Sequence, residues 1–217
     1  MRLDLRIAVT LLMWLAVASS FLAMAVRWIR RTHRGYGRWA VACLLLVLSL
    51  FLLSFRRVAP DWISIVSANT GIAIAAILYL EGARQFRSLV PRSRLAYAGG
   101  AVAIGGVAFY CYIIPSINAR AVVMSAFLGI VLTGVSMTML RGIPPVHKFG
   151  QTLTGGMFGL CAVTLVARAF YCYFRPPMSD ENALSGLHGV FFLAIATEMA
   201  AFSLGLILLM DERAHRS

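Results

Sequence analysis

The chain has 217 residues, 60% of them hydrophobic and only 13% charged, with a mean hydropathy of +0.83. A water-soluble domain of this length has no interior large enough for that much apolar surface, so the excess must face lipid. The formal net charge of +12 sits largely in short links between apolar runs, which makes it a matter of membrane orientation and not of nucleic-acid binding.

A bilayer core takes roughly 20 apolar residues per spanning helix. Seven runs meet that length, at about 7–27, 39–55, 62–81, 95–114, 119–140, 150–174 and 186–210, each boundary soft by about 2–4 residues. The expected fold is an all-α integral membrane protein of seven transmembrane helices. Its connections are short, so residues 1–217 form a single domain. Run one resembles a secretory signal, yet it exits through WIRRTHR without a small-residue cleavage site and is read as retained. That exit begins a clear asymmetry. The links after runs one, three, five and seven hold 13 of the 20 Lys and Arg residues, against 6 in the N-terminus and the links after runs two, four and six. The positive-inside rule puts the N-terminus outside and the C-terminus in the cytoplasm. A basic inner face also attracts anionic lipid headgroups.

Runs four and six both close in FYCY, as FYCYIIP and FYCYFRPP. Both copies then lie at outer helix ends, where Tyr110, Tyr112, Tyr171 and Tyr173 occupy the lipid–water interface as an aromatic belt or roof an outward pocket. Cys111 and Cys172 share that depth, so a disulfide between them is geometrically conceivable. The competing reading treats all four cysteines as small apolar residues, with no CxxC pair and no metal spacing to the four histidines.

Runs one to three also match runs five to seven in order. Arg6 and Arg27 flank run one as Arg120 and Arg141 flank run five, HRGYGR answers HKFGQ, and SFRRVAPD answers YFRPPMSD. An odd connector makes the halves of such a repeat parallel, with a site expected between them.

Ionisable groups inside a bilayer are costly and mark candidate sites. Asn69 in SIVSANTG, Arg168 in TLVARAFYCY and Glu198 in AIATEMAAF sit about 10, 9 and 17 Å below the outer ends of their runs, at about 1.5 Å per residue. Arg168 and Glu198 are the natural partners for a buried ion pair, with Asn69 and His188 close enough in depth to join. Helix–helix gluing by the same groups is the plainer reading. The single lysine, Lys148, falls in a cytoplasmic link, so no intramembrane Schiff base with retinal is available. His33, His147 and His215 fall on the cytoplasmic side and His188 near the outer face, which leaves no pair for haem or metal. No catalytic constellation, phosphate loop or cofactor motif emerges, and no enzyme is expected within these residues.

Two stretches carry a family likeness. APDWISIVSANTGIAIAAILYLEGARQFRS, through Pro60, Ser64, Asn69, Gly82, Arg84 and Phe86, resembles the N-terminal seven-helix membrane regions of bacterial GGDEF diguanylate cyclases and of some sensor histidine kinases. FSLGLILLMDERAHRS resembles their last helix and linker, through Gly205, Met210, Glu212 and Arg213. The resemblance implies a sensory module of the bacterial inner membrane, acting as a homodimer. It would relay through Asp211, Glu212 and Arg213 to an output domain expected beyond Ser217 or on a partner chain. A small or lipophilic ligand would meet Asn69, Arg168, Glu198, His188 and the FYCY tyrosines. The alternatives are a small transporter and a purely structural anchor. The seven prolines fall at run ends, so unbroken helices are expected, which disfavours transport.

Overall fold

The computed structural model describes Trp14, residues 35–55, 59–90, 94–142 and 148–175, and Val190, Phe191, Ala194, Ile195, Gly205 and Leu208 of run seven. Five helices among these residues are long and apolar enough to cross a membrane, and no strand accompanies them. They are α1 (Tyr36–Ser54), α2 (Ala68–Phe86), α3 (Arg94–Tyr112), α4 (Ile117–Leu140) and α5 (Lys148–Phe174). A π-helical stretch, Trp62–Ser67, runs without a break into α2. These helices coincide with runs two to six. Most of runs one and seven, both termini and the residues His188, Glu198, Asp211, Glu212 and Arg213 lie outside the described residues. Run one is represented by Trp14, which is helical and sets its ring 5.9 Å from that of Phe51 on α1.

Local chemistry explains the helix ends. Gly35 starts α1 with φ at 104°, a left-handed conformation natural to glycine. A side chain there would press on the Gly82 carbonyl oxygen, 2.7 Å from a built Cβ. Ser116 follows Pro115 in an extended conformation and caps α4 by accepting the Ala119 amide at 3.2 Å. Gly142 turns the chain after α4 with φ at 57°, and its carbonyl accepts from Arg87 Nη1 at 2.9 Å. Run three was expected to exit near residue 81, but α2 continues to Phe86 and takes Glu81 with it.

The most extensive contacts are α4 with α5 and α1 with α2, while α4 also packs on α2 and α3. Sequential neighbours are antiparallel because their connections are short. Side-chain contacts agree: the start of α4 meets the end of α5 through Asn118, and the start of α5 meets the end of α4 through Gln151, whose amide donates to the Met139 carbonyl at 2.7 Å. In lipid, water does not drive helices together, so close backbone approach and polar bridges must do so. Gly71 admits Ser49, Gly82 admits the Trp39 ring, and Gly155 admits Leu140. On run seven, Gly205 lies against Thr154 of α5.

Two apolar clusters fill the bundle. One gathers Trp39, Tyr79, Leu132, Met139, Phe158 and Leu165 from α1, α2, α4 and α5. The other gathers Ile65, Ile77, Val107, Met124 and Phe127 between the π stretch, α2, α3 and α4. Large apolar residues also cover the outside, among them Leu48, Leu95, Val102, Ile130 and Val163. An apolar exterior around an apolar interior is what a helix bundle in hydrocarbon requires.

Candidate functional site

Arg168 is the one cation that the described part of α5 carries between its two ends. Its Nη1 reaches Ser125 Oγ on α4 at 3.4 Å, and Ser125 is 0% exposed. The guanidinium is thus drawn into the α4–α5 interface, where a hydroxyl answers it. Near it, Asn118 donates from Nδ2 to the carbonyls of Cys172 at 3.2 Å and Arg175 at 3.1 Å. Carbonyls in the last turn of a helix have no partner along their own helix, so a side chain from α4 closes the end of α5. Tyr171 lies under the Arg175 guanidinium, 4.9 Å from its ring centre, and 5.6 Å from the Phe191 ring of run seven.

The duplicated FYCY now has a structural account. In each copy the Phe and the second Tyr lie three residues apart and face outward: Phe109 with Tyr112 (56% exposed), and Phe170 with Tyr173 (72% exposed). The first Tyr of each copy, Tyr110 or Tyr171, is half-buried. This is the geometry of an interfacial belt. The cysteines are free. Cys111 accepts from Arg120 Nη1 at 3.5 Å, whereas Cys172 is buried. No Cα of α3 comes within 8 Å of α5, and a disulfide needs its Cα atoms within about 7 Å. The conceivable bridge is therefore not formed.

Asn69 occupies a different neighbourhood. Its Nδ2 donates to Ile65 O at 2.7 Å, within its own helix. It belongs to a series in which Ser64 donates to Pro60 O, Ser67 to Trp62 O and Thr70 to Val66 O. Ser67 reaching back five residues marks the wider π turn, a feature frequent at functional sites. No Cα of α2 comes within 8 Å of α5, so the structure does not bring Asn69 and Arg168 into one cluster. His188 and Glu198, expected beside Arg168, lie outside the described residues. So does any ion pair they form.

The six residues of the first family-like stretch all have structural employment. Ser64 of the π stretch donates to Pro60 O and Asn69 of α2 to Ile65 O, Gly82 admits Trp39, Arg84 Nε donates to Val90 O at 3.1 Å, and Phe86 stacks on Trp39 at 5.7 Å. The stretch therefore describes how this helix is built.

Sequence reasoning missed a second polar group at the arginine-rich end. Glu81 is 7% exposed on α2, with Arg38 Nε of α1 at 3.6 Å and Tyr97 of α3 within electrostatic reach. Its signal was the acid-glycine pair in LEGARQ, which places a carboxylate one residue before the glycine that seats Trp39. Ser125 and Asn118 carried no signal, because their partners lie 43 and 54 residues away.

Comparison of the chain with protein-family models, with curated proteins and with solved structures returns no match.

Proposed function

We propose that this chain is a sensory module of the bacterial inner membrane that detects a small or lipophilic ligand from the outer side. Its N-terminus is periplasmic, and its seventh helix relays to a cytoplasmic diguanylate cyclase or kinase output, with two copies acting as a dimer. The observation that carries this reading is Arg168, a guanidinium inside an otherwise apolar span and held against buried Ser125. An intramembrane cation of this kind defaults to a functional role. A ligand acts only by binding two helix arrangements unequally. At Arg168 that difference would fall on the α4–α5 interface, and Phe191 and Gly205 of run seven rest against α5. A shift of run seven would carry it onward.

The test fuses the chain through its C-terminus to a diguanylate cyclase domain and measures cyclic-di-GMP in cells. Arg168→Leu and Glu198→Gln are expected to change output at unchanged membrane abundance. Unchanged output in both variants removes the site.

One observation favours the transporter reading. The Trp62–Ser67 π stretch opens the helix of run three with a wider turn before α2 begins, and such local π geometry is frequent at functional sites. Solute uptake by the purified protein in liposomes, abolished by Asn69→Leu, would place that reading first.

A further inference from the structure

We propose that the arginine-rich end of α1, α2 and α3 holds a specific site for the phosphate of an anionic lipid headgroup, centred on Arg38. The inference does not depend on the sensory reading.

Arg38 stands in the first turn of α1, and its guanidinium has five N–H donors to satisfy. Glu81 lies 3.6 Å from Nε, an ion-pair distance beyond hydrogen-bond length. Nη1 is enclosed by protein with no hydrogen-bond partner among the described residues. The side chain is nevertheless about one-third open (36% relative exposure), so an outside acceptor can approach its remaining edge. Tyr97 of α3 stands close enough to feel the charges of both Glu81 and Arg38. The cluster thus has a surplus of donors around a single carboxylate.

Its surroundings favour an anion. Among the described residues, this end carries Arg38, Arg84, Arg87, Arg94 and Arg141 against Glu81. Arg94 begins α3 one turn before Tyr97 and on the same face, and it is exposed. The first turn of α1 has no acidic residue and no side-chain cap, so its amides add to the positive potential. Among the described residues, the opposite end carries Arg120 and Arg175 against Asp61. Helices long enough to span place Arg38 at headgroup depth, where the abundant anion is a phosphate monoester or diester on glycerol. Arginine suits phosphate oxygens through charge-assisted, paired hydrogen bonds.

The experiment uses the full chain in a neutral detergent, with native mass spectrometry counting bound lipid during titration. Phosphatidylglycerol is expected to bind in preference to phosphatidylcholine. Arg38→Gln and Arg94→Gln should each weaken phosphatidylglycerol binding about tenfold, the scale of one charged hydrogen bond. Arg120→Gln at the far end should not. Among the described residues Arg94 makes no hydrogen bond or ion pair that Arg94→Gln would break, so that variant decides the matter if Arg38→Gln fails to fold. Equal binding of the two lipids, an unchanged affinity in Arg94→Gln, or an equal loss in Arg120→Gln overturns the proposal. Soluble glycerol 3-phosphate competing at equal concentration would show a free-phosphate site and overturn the assignment to lipid.

Discussion

Asn118 shows how one side chain can settle a helix end. Its amide spans two carbonyls of the last turn of α5, groups that hydrocarbon or a crowded interface leaves costly when unmet. Asn118→Ala is therefore expected to cost about 1–3 kcal/mol, read as a lower unfolding midpoint in detergent. Asn118→Asp removes the donor yet keeps the size, and should be no better. At the same scale, Arg168 was legible from composition alone, since a charge inside an apolar run has few innocent explanations. Its partner Ser125 was not legible. Contacts between residues far apart in the chain depend on how helices are turned about their axes, and hydropathy does not record that turning.

The α1–α2 pair illustrates what decides an element. Trp39 packs its ring into the space left by Gly82 and donates from Nε1 to the Tyr79 carbonyl at 3.1 Å. About three turns earlier in α2, Gly71 gives room to the Ser49 hydroxyl, which itself donates to Leu45 O at 2.6 Å. A methyl group at Gly82 meets a rigid aromatic ring, whereas one at Gly71 meets a hydroxyl that can turn aside. Gly82→Ala is expected to destabilise by about 1–3 kcal/mol and Gly71→Ala by clearly less. Trp39→Leu should recover part of the Gly82→Ala loss in a double-mutant cycle. Equal effects of the two glycine changes would show that the helices approach differently. Spans two to six were readable because lipid demands length and apolarity from each helix, and both are properties of sequence. The extra residues at the end of α2 escaped because Glu81 looks like a link residue until Arg38 and Tyr97 are seen beside it. The π turn escaped for a related reason: Ser64, Ser67, Asn69 and Thr70 suit an α-helix equally well, and only the bonding register separates the two.

For the molecule as a whole, alternation of the five described helices puts the Gly142 turn and the start of α1 at one end, and the Pro115 turn at the other. A reporter enzyme inserted at Gly142 and one fused after Ser217 are both expected in the cytoplasm, with one inserted at Ser116 in the periplasm. Opposite sides for the first two would overturn the seven-span count. The expected repeat, by contrast, was a likeness of sequence between halves that each have one run largely outside the described residues. Tyr79 adds a consequence of its own. Its carbonyl is held by Trp39, its hydroxyl lies 3.2 Å from Cys43 Sγ, and its ring leans on Phe158 at 5.6 Å. Neither α1 nor α2 brings its backbone near α5, so the two sides of the bundle meet there through side chains. Sliding α5 past that pair would drag the Phe158 ring across a tyrosine tethered at both its carbonyl and its hydroxyl.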